Sequence, residues 1–331
     1  MLLNYNDMKI RSTLSFVSLV FIFSSLLFPC EYCFVTQHGY VYDLNRTSLR
    51  IDSRYQFFSG LETPTIDRVR SVHSSTFFTV SYSADVWGIT LAVPFIYRTQ
   101  ENTFDGSSTL HYNHSNRPQI TGVAPSIVER NIARGIGDMT ILARYAAYQG
   151  GDESEGTFQN VFLQSGIKTA TGTIDSRDQY GYLLHPHLQN GTGTANILFG
   201  ANGMIGNFST SVALNLLAGI PLSSANLFQE SSALNYDITL RHRIYPDDPE
   251  EGLMVIANGG LIGRLWGKEK YRGSTLLDSG GNYLFTNTGI SIYPLPSISI
   301  DIQYQLPIIK NLLGNQLNER YRIASGVGIM L

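Results

Sequence analysis

"SISIDIQYQL", Ser297 to Leu306, splits its side chains into two opposed sets. A strand has a side-chain period of two, so Ile298, Ile300, Ile302, Tyr304 and Leu306 share one face. Ser297, Ser299, Asp301, Gln303 and Gln305 share the other. A sheet packed on a soluble core alternates this way, and so does a strand with lipid on one side and a wet interior on the other. Deciding between them requires the rest of the chain.

The pattern recurs. "LRIDSRYQF" sets Leu49, Ile51, Tyr55 and Phe57 against Arg50, Asp52, Arg54 and Gln56. "FSTSVALNLL" sets Phe208, Val212, Leu214 and Leu216 against Ser209, Ser211, Ala213 and Asn215. "LNYDITLRHRI" places Asp237, Arg241 and Arg243 opposite Tyr236, Ile238, Leu240 and Ile244. "YRIASGVGIML" places Arg322, Ala324, Gly326 and Gly328 opposite Ile323, Val327 and Ile329. Weaker alternation over Trp87 to Tyr97, Met139 to Tyr145, Val161 to Ile167, Leu253 to Leu265 and Tyr283 to Tyr293, with segments near 70–82 and 194–204, brings the total to about twelve strands of roughly ten residues. No segment between them keeps a helical period.

The connections are more telling. Long stretches near 59–69, 100–134, 169–193, 219–231, 267–281 and 308–319 alternate with short ones: Ser83 to Asp85, "GGDESEG", Gly206-Asn207, "PDDPEE" and Pro294 to Pro296. An up-and-down barrel with both ends on the periplasmic side predicts this rhythm, because its short turns share one rim. A Greek-key sandwich does not. Aromatics near strand ends (Phe57, Tyr82, Trp87, Tyr97, Tyr145, Tyr148, Tyr245, Trp266, Tyr293, Tyr304 and Tyr321) suit interfacial girdles. The expected fold is all-β, a single antiparallel transmembrane barrel over residues 47–331, with the isoleucine face of "SISIDIQYQL" in lipid.

Composition agrees. Charged residues make up 15% of the chain, below the roughly 25% of soluble proteins, while Tyr (19), Phe (17) and Gly (31) are plentiful. A net charge of -3 and the lack of a basic run speak against nucleic acid as a partner. Lys9 and Arg11 before the apolar run Leu14 to Phe28 read as an export signal, too short for a spanning helix. Residues 1–33 are thus a signal and leader, and 34–46 a periplasmic segment. Cys30 and Cys33 ("CEYC") fall in the cleavage zone, where lipidation, a small disulfide, half a metal site and an idle leader end are all open readings.

"GIGDMTILARY" (Gly135 to Tyr145), with Gly137-Asp138 opening a strand and Arg144-Tyr145 ending it, resembles outer-membrane barrels of the MetA-pathway of phenol degradation family. "SGIKTATGTID" and the Leu188-Gln189-Asn190-Gly191-Thr192-Gly193 segment extend the resemblance, mainly over 135–220. This chain has Thr169-Ala170-Thr171-Gly172 where that family commonly has Leu-Pro-Thr-Gly. The resemblance implies a small-molecule channel in the bacterial outer membrane and identifies no solute.

Inward positions of such a barrel would hold Arg50, Asp52, Arg54, Arg144, Asp237, Arg241, Arg243, Arg264, Asp301, Gln303 and Arg322. They read either as a charged constriction that selects solutes or as ion pairs that merely fill the barrel. Expected partners are outer-membrane lipid, small solutes and, during insertion, the barrel-assembly machinery. No cofactor or catalytic residue is implied. "HYNHSN" (His111 to Asn116) raises a lipid-modifying enzyme, yet His114 and Ser115 are adjacent and would point to opposite faces of a strand. His111, His114, His185 and His187 fall in expected external loops, where solvated histidines compete with a metal site. A non-conducting receptor or adhesin barrel is the other alternative.

Overall fold

The computed structural model describes residues 46–60, 68–104, 127–152, 156–222, 228–245 and 252–331. The expectations for the signal and leader, for Cys30 and Cys33, and for His111, His114 and Ser115 lie outside them. Twelve wall strands form a closed up-and-down antiparallel barrel. They are β1 (Arg46–Gly60), β2 (Arg68–Ser83), β3 (Trp87–Phe104), β4 in two segments (Ile127–Ile136 and Thr140–Gly150), β5 (Thr157–Lys168) and β6 (Asn196–Asn207). The second half comprises β7 (Thr210–Pro221), β8 (Ala233–Tyr245), β9 (Met254–Trp266), β10 (Gly281–Leu295), β11 (Ile298–Leu312) and β12 (Asn318–Met330). Each pairs with its sequence neighbours, and β1 pairs with β12 from Ser48↔Met330 to Ser59↔Asn318, so no long edge is left to lipid.

The burial pattern is that of a soluble protein turned inside out. Ile51, Phe78, Leu240 and Ile302 stand 52%, 50%, 50% and 58% exposed on the outer face. Asp52, Asn215, Asn235, Asp237 and Asp301 are buried inside. Only a solvent that is itself apolar makes that arrangement favourable.

Three departures from the sequence reading have physical causes. The expected loops near 100–134 and 308–319 are shorter, because β3 continues to Phe104, β4 begins at Ile127 and β11 continues to Leu312. These extensions carry polar residues on the outer face too, including the exposed Arg130–Glu101 pair at 3.4 Å, so the apolar/polar alternation fades while the backbone stays paired. Trp266 and Tyr293 do not join the outer girdle. Each lies two residues from an inward side chain, Arg264 and Ser291, and therefore faces inward with it.

β4 is interrupted at Gly137-Asp138-Met139. Its first segment pairs with β3 through Phe95↔Ile136 and its second through Ala92↔Thr140. The second segment also pairs with β5 as far as Thr140↔Lys168. Where β5 ends, the connection 169–195 turns against the first segment: Asn190 Nδ2 donates to the Arg134 carbonyl at 2.8 Å, and Leu184 and Leu188 pack on the inner-face Ala133.

Candidate functional site: the barrel interior

All eleven candidate side chains project into the interior, because odd and even positions on each strand keep their faces through the paired register. They separate into distinct groups.

On the seam, Arg50 donates from Nε to Asp52 at 2.9 Å, from Nη2 to Asp301 at 2.6 Å and from Nη1 to Ser299 at 3.1 Å. The Ser291 hydroxyl donates to Asp301 and accepts from Asn258 Nδ2 at 2.8 Å. This chain runs from β1 over β12 to β11, β10 and β9. It can cross β12 because Gly326 and Gly328 offer no side chain there: a methyl group at 326 would lie 2.0 Å from Asp52 Oδ1 and one at 328 would lie 2.7 Å from Ser299 Oγ.

Farther out, Arg322 pairs with Glu319 at 2.5 Å, and Glu319 accepts from Gln56 Nε2 at 2.8 Å. The Arg322 guanidinium sits 3.9 Å from the centre of the Phe285 ring. On the opposite wall, Gln164 donates to Asn215 at 3.0 Å, and Asn215 Nδ2 donates to Asp237 at 3.1 Å. Arg144 donates to the Ser83 hydroxyl and lies 5.3 Å from the centre of the Phe162 ring; Arg54 lies 6.0 Å from that of Phe77. Gln303 is buried with its Oε1 unpartnered. Arg241 donates to the Tyr293 hydroxyl at 3.2 Å and Arg243 to the Phe208 carbonyl at 2.6 Å. Arg264 lies 5.2 Å from the centre of the Trp266 indole. No carboxylate pairs with Arg241, Arg243 or Arg264 among the described residues.

The outer mouth is narrowed by its own connections. Arg98 Nη1 donates to the carbonyls of His187 at 2.9 Å and Gln189 at 2.7 Å, drawing 169–195 against β3. Asp138, at the break in β4, accepts from Gly172 N at 2.9 Å, Thr192 N at 2.8 Å and Thr192 Oγ1 at 2.7 Å. Gly172 and Gly191 touch backbone to backbone, and no side chain would fit at either. Lys168 pairs with Glu230 at 2.8 Å. His187 meets Glu269 at 3.0 Å, joining 169–195 to the connection that carries the short strands Lys270–Tyr271 and Ser274–Thr275. Phe228–Gln229 adds a third short strand to that lid-like sheet. His185 stacks on His187 at 5.0 Å.

Sequence reading missed the inward rings Phe77, Phe162, Tyr283 and Phe285, together with Arg98 and Asp138. Strand parity was the available signal for the rings, since Tyr283 and Phe285 keep step with Asn287 and Ser291.

A closed barrel with an apolar outside and a charged, amide-rich inside is an integral protein of the bacterial outer membrane. No known family matches the sequence, and no curated protein matches it either. Among solved structures, the COG4313 outer membrane channel from Pseudomonas putida F1 is similar at 13% identity, covering 87% of this chain and 96% of that one, with a TM-score of 0.57. The translocator domain of the autotransporter NalP from Neisseria meningitidis covers 88% and 90% at 11% identity and a TM-score of 0.38. The CymD monoaromatic hydrocarbon channel covers 87% and 88% at 7% identity and a TM-score of 0.35.

Proposed function

We propose that this protein is a channel for passive passage of small molecules, hydrophobic or aromatic ones among them, through a polar lumen across the outer membrane. The observation that carries this reading is the interior charge left over after local pairing. Arg50 is held between two carboxylates, Asp52 and Asp301, and Arg322 is matched by Glu319, whereas Arg241, Arg243 and Arg264 have no carboxylate partner among the described residues. Uncompensated guanidinium groups along a wet passage favour anions and attract solutes with a negative or π-rich end. The architecture shared with the Pseudomonas putida F1 channel supports the same reading.

One observation favours a second reading. The buried Leu184, Leu188, Gln189 and Asn190 of 169–195 occupy the upper interior, as a receptor barrel with a closed mouth would require. Planar-bilayer recording separates the two. The channel reading expects discrete currents with anion preference, reduced in an Arg241→Ala/Arg243→Ala double variant that still inserts. Absence of current from the folded protein, together with no solute entry in vesicle swelling, would establish the closed barrel instead.

A further inference from the structure

The interior wall formed by β8, β9 and β10 holds a cluster of rings, of which Phe285 faces Arg322 and Tyr283 accepts from the Glu319 amide, while Trp266 remains clear of the ion pairs. Trp266 and Tyr283 stack at 5.6 Å with 20° between their planes, and Tyr283 meets Phe285 at 5.3 Å. Ile262 is buried among them. Tyr283 and Phe285 form fixed backing, buried to within 5%. Trp266 and Arg264 are only partly covered and face the inside. Arg264 stays near the indole, 5.2 Å from its centre, which fixes a long side chain without neutralising it.

The neighbouring strand adds a second polar group. Asn235 is opposite Arg264 in the register of β8 and β9. It is fully buried, yet neither end of its carboxamide has a partner. A buried amide with both ends unmet costs on the order of 1–3 kcal/mol, and such groups in native proteins call for an explanation. Glu269, the carboxylate electrostatically coupled to Arg264, is already engaged by His187 at 3.0 Å, and Glu319, beside Tyr283, by Arg322 at 2.5 Å.

We propose that Arg264, Asn235 and the wall of Trp266, Tyr283 and Phe285 form a binding subsite for a small aromatic carboxylate. The guanidinium receives the carboxylate in a charge-assisted pair, the Asn235 amide donates a further hydrogen bond, and the ligand ring lies along the aromatic wall. A neutral phenol leaves the guanidinium unpaired. An aliphatic acid forgoes the ring contacts. The proposal rests on the channel reading for its role in passage, but not for binding itself.

The chain has two tryptophans, Trp87 on the lipid side and Trp266 in the subsite. A Trp87→Phe protein in detergent micelles therefore reports from Trp266 alone. Benzoate should change its fluorescence saturably. Phenol and cyclohexanecarboxylate should need about tenfold or more higher concentration, and Arg264→Gln should weaken benzoate by a similar factor while leaving phenol unchanged. Arg264→Lys should fall between the two, and Asn235→Ala should weaken benzoate with the charge intact. No saturable response to benzoate, equal response in Arg264→Gln, or equal binding of cyclohexanecarboxylate would each overturn the proposal. Benzoate binding to a barrel that passes no current would sink the channel reading and leave the subsite standing; current without benzoate binding would do the reverse.

Discussion

Among single residues, His187 and Glu269 carry a pH dependence whose sign is fixed by their pairing. The Glu269 charge holds His187 above its ordinary 6.5. Burial pushes the Glu269 carboxyl up, but the facing His187 together with His185 and Arg264 keeps Glu269 below its ordinary 4.5. The His187 contribution is complete below 6.5 and is lost as pH rises through its raised value. The Glu269 contribution is complete above 4.5 and is lost as pH falls through its lowered value. Between those limits the contact is strongest. Limited proteolysis of 169–195 should be slower near about pH 5.5 than near about pH 9, and His187→Gln should abolish the difference. Equal cleavage in both buffers would show that this contact does not secure the mouth. At this scale the sequence is legible where parity alone decides. The face taken by Arg50, Asp52 or Asp301 follows from counting by two. Trp266 is misplaced when its aromatic character is weighted above its step from Arg264. Contacts such as His187 with Glu269 leave no trace in sequence, because 82 residues separate the partners.

Among elements, the break in β4 and the connection 169–195 are one unit. Gly137-Asp138 stops the pairing with β5, and the freed Asp138 carboxylate fastens Gly172 and Thr192 back onto the break. Hydrogen bonds to a charged acceptor are worth about 1.5–3 kcal/mol each, more than neutral ones. Asp138→Ala should therefore release 169–195 while the barrel survives. The expected result is rapid cleavage between about residues 169 and 195, with unchanged heat-modifiable migration in a gel. Loss of the folded band would mean that Asp138 supports the wall itself. "GIGDMT" marks a strand start in the sequence reading, which captures the second segment and misses the first. The polar run "VERNIARG" carries no apolar alternation, so only its pairing with β3 reveals it.

For the whole molecule, the test is the inversion of inside and outside. Ile302 and Gln303 are adjacent on β11, yet one meets lipid and the other the interior. Ile302→Lys should cost about 2–4 kcal/mol if it lies near the bilayer midplane, and Gln303→Lys markedly less. Urea unfolding from lipid vesicles measures both; similar losses would contradict a lipid-facing isoleucine row. The rhythm of long and short connections and the repeated two-residue period made this architecture legible. What fills the inside was not legible, because inward rings interrupt the same alternation that identifies the strands.

The two bare positions on β12 have a consequence for how the cylinder is completed. Arg50 belongs to the first strand made and Asp301 to the eleventh, and their bond passes over the last one, at Gly326 and Gly328. That bond clasps the stave it crosses, which the strand permits only because it is thin on its inner side at these two positions. The strand between them thus acts as the keystone, and the salt link above it marks a ring that has shut.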